Sequence, residues 1–270
     1  EIVSAQVDET GRELYVLHRS PLSLSRFSVH DGRALDRIEI RDRVYKPVGA
    51  TRCAGDNWLL YGGGLAKIGK DGGLEPAAGE HTTATQTMKF AGDSIECFLN
   101  DTIVISEKKP PSLLLWRVNE EKPRVIGSVG KDENSGRRAQ LSSSMDDVAF
   151  DGRGTIYVLD AQRGAVVSID SAGGLVDILY IDSPYETMSP PDPVSVAVDS
   201  RMNIWVANDS EDTLDVYTSF GDMAYRVESM GEMNFKYVDA ERIFCGENGR
   251  LFMIDEGTET LRVFDIEQIW

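Results

Sequence analysis

Three oxygen-bearing side chains occupy one position of a repeated sequence pattern. Asp160, Asn208 and Asp255 each end a short apolar run that follows a turn rich in Gly, Asn or Asp. Calcium binds carboxylate and amide oxygens, so any metal bound by this chain is predicted to be Ca²⁺ held by these residues. We favour the alternative that the side chains accept hydrogen bonds from backbone N–H groups of the adjacent turns, with no cofactor required.

The histidines and serines offer little further chemistry. His18 occupies the repeat position of Asp160 and could act as an acid or a base. His30 lies in a turn and His81 in a polar loop, so the converging imidazoles that a zinc site needs are not expected. The chain has no Gly-x-Ser-x-Gly sequence, and the Ser142–Ser144 run lies in a loop, which argues against nucleophilic catalysis.

These residues belong to a chain of six similar units. The clearest copies span 146–160, 194–209 and 242–255, and each has an alternating apolar run, a turn and a second apolar run, as in a β-hairpin. The equivalent positions 18, 62, 106, 160, 208 and 255 have a mean spacing of about 47 residues. Further apolar runs supply a third strand and often a fourth, which is typical of propeller blades.

We therefore predict an all-β fold, namely one six-bladed β-propeller of four-stranded antiparallel blades over residues 1–270. The blades lie roughly at 1–41, 42–80, 81–130, 131–182, 183–232 and 233–270. In the last blade, only residues 267–270 remain for a fourth strand. Aromatic residues at one second-strand position are expected to pack between blades: Tyr15, Trp58, Tyr157, Trp205 and Phe252.

The cysteines and one glycine run have structural interpretations. Cys53, Cys97 and Cys245 precede the marker positions of their blades by similar distances, so they are placed on or near the first strands. We expect inert core packing for all three, because a small apolar side chain fits there. A bridge between Cys53 and Cys97 is conceivable, but the spacing does not predict it. Gly62–Gly64 is interpreted as a tight turn between strands and not as a phosphate loop.

The charge of the chain is unevenly distributed. Lys and Arg number 28 and Asp and Glu number 45, giving a net charge of −17. Residues 1–140 are neutral overall, with 20 acidic and 20 basic side chains, so residues 141–270 carry the whole excess. Nucleic-acid binding requires the opposite sign, and no apolar run approaches the ~20 residues that span a bilayer. We expect no nucleic-acid partner and no membrane insertion, and a basic partner is favoured.

Two stretches, residues 127–170 and 190–220, resemble NHL repeats. The resemblance implies a six-bladed β-propeller and favours an exported protein, periplasmic, secreted or at the cell surface. It does not imply one activity, because this architecture hosts enzymes and adaptors alike. NHL proteins that bind RNA use a basic face, whereas the matching blades here are the acidic ones. The matching residues include Val148-Ala-Phe-Asp151, Ile156-Tyr-Val158, Asp160, Pro193, Val196-Ala-Val-Asp199 and Asn203-Ile-Trp-Val-Ala207.

The predicted function is a non-catalytic binding or scaffolding module that recognises a protein or peptide. The alternative is a metal-dependent lactonase, esterase or lyase with a site in the mouth of the central channel, as in gluconolactonase-type propellers. Loops at Lys131–Ser144 and Asp182–Pro193 are expected to lie on the channel-side face, where second strands end and blades are joined. The predicted binding residues on this face are His18, Asp160, Arg163, Asn208, Asp209, Glu211, Asp212, Asp255 and Glu256.

Overall fold

The chain forms two compact units. The first comprises Glu1–Glu107 and Leu113–Ile126, and the second comprises Lys108–Ser112 and Gly127–Trp270. Among the described residues, no helix has the length and hydropathy that a membrane crossing requires. The computed structural model describes residues 1–8, 12–62, 64–77, 92–108, 111–118, 120, 124–127, 145–181, 192–209, 213–228, 240–246, 249–255 and 260–268.

Unit 1 holds three antiparallel sheets, each of four strands in chain order. Each strand pairs with the strand that follows it, so one sheet is a meander of three hairpins. The sheets are β1 (Ile2–Val7), β2 (Glu13–Arg19), β3 (Leu22–Ser28) and β4 (Ala34–Glu39); β5 (Pro47–Cys53), β6 (Asp56–Tyr61), β7 (Gly64–Ile68) and β8 (Leu74–Pro76); and β9 (Ser94–Phe98), β10 (Thr102–Lys108), β11 (Pro111–Arg117) and β12 (Arg124–Gly127).

Unit 2 repeats the arrangement with one difference, because its last sheet has three strands. Short 3₁₀ turns follow β14, at Ala161–Arg163, and β23, at Ile266–Gln268. The sheets are β13 (Asp147–Phe150), β14 (Thr155–Asp160), β15 (Ala165–Asp170) and β16 (Leu175–Tyr180); β17 (Pro193–Val198), β18 (Ile204–Asn208), β19 (Thr213–Tyr217) and β20 (Met223–Glu228); and β21 (Ala240–Gly246), β22 (Arg250–Asp255) and β23 (Thr260–Asp265).

The six sheets are six blades, and the fold is a six-bladed β-propeller, as the repeats predict. The prediction of four strands per blade holds for five sheets. It is wrong for the sixth within the described part of the chain, because the residues after β23 form a 3₁₀ turn instead of a returning strand. The predicted turn at Gly62–Gly64 is confirmed, since Tyr61 and Gly64 are paired across the β6–β7 hairpin.

A buried carboxylate closes the first hairpin of the best-matching blades. In the fifth blade, one oxygen of Asp199 accepts hydrogen bonds from the backbone N–H groups of Arg201 and Asn203, both at 2.9 Å. The other oxygen accepts from the Asn203 amide at 2.9 Å and from the Trp205 indole N–H at 3.1 Å. Asp151 bonds the equivalent turn of the fourth blade. The repeated Asp thus sets the turn and the adjacent aromatic side chain together.

Apolar clusters join neighbouring blades within each unit. In unit 1, Tyr15 packs in a cluster shared by blades one and two, and Trp58 packs in one shared by blades two and three. In unit 2, Tyr157 and Trp205 lie in the clusters between blades four and five and between blades five and six. These four placements confirm the predicted inter-blade packing. The first strands also contact one another in sequence, β1–β5–β9 in unit 1 and β13–β17–β21 in unit 2.

The cysteines do not share one role. Cys53 at the end of β5 and Cys97 on β9 form a disulfide with a Cα–Cα distance of 5.3 Å. The prediction of inert packing is therefore wrong for these two residues, because the contact between the first strands of blades two and three brings them within bonding distance. Cys245 on β21 is free, and burial raises the pKa of its thiol well above the ordinary value.

We predict that the double substitution Cys53→Ala/Cys97→Ala lowers the free energy of unfolding by about 4 kcal/mol, because a bridge with a separation of 44 residues restricts the unfolded chain. Urea denaturation followed by tryptophan fluorescence measures the change. The reductant TCEP should destabilise the wild-type chain and leave the double variant unaffected. Equal stability of the wild-type and variant chains under oxidising conditions would contradict the prediction.

Candidate functional site

The predicted marker residues lie at the ends of second strands, as the repeats indicate. His18 is the penultimate residue of β2, and Asp160, Asn208 and Asp255 are the last residues of β14, β18 and β22. The last three are fully buried. Since a fully buried side chain presents no surface to a ligand, the partners of each residue inside the protein decide its role.

Asp160 and Asn208 are engaged within their own blades. The Asp160 carboxylate accepts a hydrogen bond of 3.2 Å from the backbone N–H of Arg163 and caps the 3₁₀ turn that follows β14. The Asn208 amide donates to Asp215 on β19 at 3.0 Å. Asp215 in turn accepts two bonds from the Arg226 guanidinium on β20, at 2.5 and 2.6 Å. A buried charge is thereby neutralised across three strands of one blade.

Asp255 is also engaged within its own blade, by an arginine. Its carboxylate lies 2.7 Å from the guanidinium of Arg262 on β23. Each of the three residues therefore has a bonding partner within its own blade. Within the described ranges, no three side chains of His, Cys, Asp or Glu gather as a metal site.

The remaining predicted binding residues divide into two groups. Arg163 and Asp209 are exposed just after β14 and β18, and the backbone N–H of Asp209 donates to the carbonyl of Asp192 at 3.1 Å. The predicted residues and loops that lie outside the described part of the chain are Glu211, Asp212, Glu256, Lys131–Ser144 and 182–191, together with His81.

A polar group on the first strands of unit 2 was not predicted. Asp147 on β13 accepts hydrogen bonds from the Ser195 hydroxyl and, at 3.0 Å, from the backbone N–H of Val196. Ser195 also accepts a bond of 3.0 Å from the backbone N–H of Ile243 on β21. The hydroxyl thus links the first strands of blades four, five and six. Both of its hydrogen-bonding roles are used internally, which does not suit a nucleophile.

Arg242 completes this group by placing its guanidinium 3.5 Å from Asp147. β17 and β21 each contain a β-bulge between their first and third residues. The third residue is Ser195 in β17 and Arg242 in β21. Bulges redirect side chains, and here they precede the two residues that reach Asp147. The sequence does contain a signal for this group. Asp147, Ser195 and Arg242 align at one position of the repeat, and they are polar in strands whose residues are mostly apolar.

Unit 1 has a related link between blades one and two. The Ser4 hydroxyl accepts a bond of 3.1 Å from the backbone N–H of Ala50, which matches the contact of Ser195 with Ile243. Nearby, the Tyr15 hydroxyl donates to Glu13 at 2.7 Å and accepts from Arg52. Burial, followed by the bond to Glu13, raises the pKa of Tyr15 to about 12, so the hydroxyl stays protonated at neutral pH.

A cavity of about 390 Å³ lies between blades five and six. Its lining comprises Asp199–Arg201, Gly249 and Asp265–Glu267, at the turn that closes the first hairpins and away from the ends of the second strands. Arg201 and Glu267 form an exposed ion pair of 3.1 Å across it. Both oxygens of Asp199 are already bonded to the hairpin, so this carboxylate is not free to bind a ligand in the cavity.

Comparisons with known proteins support the fold class. No protein-family model and no curated protein sequence matches the chain. A structure of catalytically inactive virginiamycin B lyase from Staphylococcus aureus with quinupristin is similar, with a TM-score of 0.64 and 14% identity over 98% of this chain and 84% of that chain.

Two further solved structures resemble the chain. A nidogen/laminin complex gives a TM-score of 0.60 and 13% identity over 84% of this chain and 80% of that one. The β-propeller domain of Cps50 (Swd1) from Myceliophteria thermophila gives 0.53 and 8% identity over 98% of this chain and 96% of that one. At these identities the similarity shows the six-bladed β-propeller fold and no activity.

We predict that Ser195→Ala lowers the free energy of unfolding by about 1–3 kcal/mol, because the buried Asp147 carboxylate loses a donor and the Ile243 N–H loses its acceptor. Ser219→Ala, at an exposed turn position, is the matched control and should change stability little. Equal effects of the two substitutions on chemical denaturation would refute the assigned role of Ser195.

We predict that His18 makes stability depend on pH. Burial, and next the charge of Arg37, lower the pKa of His18 below its ordinary value of 6.5. Its contribution is therefore present above pH 6.5 and is lost as the pH falls through the lowered value in the folded state. His18→Gln should reduce the loss of stability between pH 7.5 and 5.0, whereas His30→Gln should not. Denaturation curves at both pH values test this.

Proposed function

We propose that the chain is a non-catalytic binding module that recognises a basic segment of a protein or peptide through the acidic half, residues 141–270. The observation that carries this proposal is the charge of that half, which has 25 acidic and 8 basic side chains. A surface of one sign attracts partners of the opposite sign and orients them before contact.

The ion pairs of unit 2 use cations that could otherwise neutralise its acidic surface. Arg226, Arg242 and Arg262 lie beside buried carboxylates, so three of the few cations in this half serve the interior. Few cations remain to neutralise the surface carboxylates. Asp209 is exposed just after β18, and we assign it to the channel-side face on which we place the contact.

The engagement of the candidate chemical residues favours binding over catalysis. Asp160, Asn208 and Asp255 are fully buried, and each interacts with a group of its own blade. Binding of Ca²⁺ by Asp255 would require displacing the Arg262 guanidinium from a buried carboxylate, which is costly in a low-dielectric interior. Binding by Asp160 would compete with its bond to the backbone N–H of Arg163. The metal-dependent lactonase, esterase or lyase is therefore the less favoured alternative.

The same proposal includes an exported location and membership of the NHL-like propellers. A disulfide between Cys53 and Cys97 suits an oxidising compartment. The structural neighbours include both a lyase and a protein complex. The fold is compatible with either role. Our choice of a binding module therefore rests on the charge of residues 141–270 and on the internal bonds of Asp160, Asn208 and Asp255.

The proposal predicts that a fluorescein-labelled peptide of nine lysines binds the chain, and that its affinity falls at least fivefold between 50 and 300 mM NaCl because salt screens exposed charges. Asp209→Lys should weaken this binding several-fold. Glu75→Lys, an equal charge change at an exposed position of β8 in the neutral half, should weaken it less. Fluorescence anisotropy measures all three.

Two outcomes would contradict the proposed function. Affinity that is independent of salt, or equally reduced by both substitutions, would remove the role of the acidic half. A saturable rise in melting temperature with Ca²⁺, reversed by EDTA and absent in Asp160→Ala, would support the metal-dependent alternative. A site occupied at 100 times its Kd stabilises the folded chain by roughly 2.7 kcal/mol.

A further inference from the structure

The segment that joins blades one and two, residues 40–46, presents cations that no carboxylate neutralises. It runs from the end of β4 to the start of β5 and lies wholly in unit 1. Arg41, Arg43 and Lys46 are exposed, and within the described part of the chain no acidic side chain lies within salt-bridge distance of them. Several other cations of unit 1 lie 2.7 to 3.2 Å from carboxylates. Three neighbouring unpaired cations are unexpected in a chain with an excess of acidic residues.

The rest of the 40–46 segment is anchored to the protein. Ile40 is buried and Val44 is partly buried, and both pack in the apolar cluster shared by blades one and two. The Asp42 carboxylate accepts a hydrogen bond of 2.7 Å from the backbone N–H of Leu74 on β8. The only acidic residue of the segment is thus bonded to the backbone of blade two, and the arginines on either side of it remain exposed.

A glycine of blade two holds the end of the segment. The backbone N–H of Gly62 donates to the carbonyls of Tyr45 and Lys46, both at 3.0 Å. Lys46 has a φ of 49°, in the left-handed region that residues other than glycine seldom adopt. A Cβ atom at position 62 would lie 3.2 Å from the Tyr45 carbonyl oxygen, so glycine permits the close approach. The surrounding bonds therefore hold the backbone of Tyr45 and Lys46 in one conformation.

Tyr45 adds an aromatic surface beside the cations. Its side chain is 71% exposed, and the Lys46 ammonium lies 5.5 Å from the centre of its ring. Tyrosine and arginine are enriched among the residues that contribute most to binding in protein interfaces, because each offers a large rigid surface together with hydrogen-bond donors. The 40–46 segment combines these residue types on a backbone that is already ordered, which lowers the entropic cost of binding.

We propose that the 40–46 segment is a docking surface for an acidic segment of a partner protein, whose carboxylates pair with Arg41, Arg43 and Lys46 and whose aromatic side chain packs on Tyr45. A guanidinium can bind a carboxylate through two parallel N–H bonds. One exposed ion pair contributes little, so the three cations and the ring must act together. This surface and its charge differ from those of the proposed function, and the inference does not depend on that function.

A nucleic acid is the poorer occupant of this surface. Its charge continues along its whole length and would extend beyond the three cations, into the field of a chain whose net charge is −17. A peptide can confine its carboxylates to the few residues that face the 40–46 segment. A second copy of the chain is disfavoured for the same reason as a nucleic acid, because two copies repel one another.

The test uses two fluorescein-labelled peptides, Glu-Glu-Phe-Glu-Glu and Glu-Glu-Ser-Glu-Glu. We expect the Phe peptide to bind the full chain at least threefold more tightly than the Ser peptide, measured by fluorescence anisotropy, because only its ring can pack on Tyr45. The net charge of the chain repels both peptides equally, so their binding reports local recognition.

Variants of the chain locate the acidic peptide. Arg43→Glu should weaken binding of the Phe peptide at least fivefold, because an attraction becomes a repulsion, and Arg43→Lys should retain most of the affinity. Arg12→Glu is the matched control, since it makes the same charge change at an exposed position between β1 and β2, and it should alter the affinity less than twofold. Tyr45→Ser should lower the affinity for the Phe peptide to that for the Ser peptide. Unchanged melting temperatures show that the variants are folded.

Several results would overturn the proposal. They are no binding of the Phe peptide at millimolar concentrations of the chain, equal effects of Arg43→Glu and Arg12→Glu, or tighter binding of a labelled oligothymidine of the same charge, which would identify a nucleic acid as the occupant. A dimer seen by sedimentation that Arg43→Glu dissociates would identify a second copy instead. The nine-lysine peptide should bind the Arg43→Glu chain no more weakly than the wild-type chain, so a failure here is distinguishable from a failure of the proposed function.

Discussion

A blade of this protein cannot bury both of its faces by itself, and the rest of the structure follows from that constraint. In β18 and β19 every residue is buried, so apolar side chains on both faces of one sheet need cover. Neighbouring blades supply it through shared clusters in each unit. Isolated hairpins are marginally stable, and stacking repeats removes their apolar faces from water. Because this needs only period and alternation, chains with 8–14% identity adopt a similar fold.

The same stacking determines what polar residues can do. A carboxylate on a fully covered strand is far from water and must find a donor or a cation. Asp215 and Asp255 find arginines on adjacent strands, and Asp147 is met by Ser195 and Arg242. These groups join strands and blades instead of facing a ligand. Asp160, Asn208 and Asp255 look chemical in the sequence but bond within the protein, because the fold buries the positions at which the repeat places them.

The repeats were sufficient to predict the blades but not the links between them. The hairpin that Asp199 and Trp205 stabilise was predictable because it is local in sequence. Asp147, Ser195 and Arg242 are about a blade apart from one another, and their contact depends on β-bulges that alternation does not reveal. The disulfide has the same origin, since 44 residues separate its cysteines and only the contact of β5 with β9 brings them together. Asp160 is fully buried at the end of β14, so its position was predictable from the repeat and its lack of exposure was not.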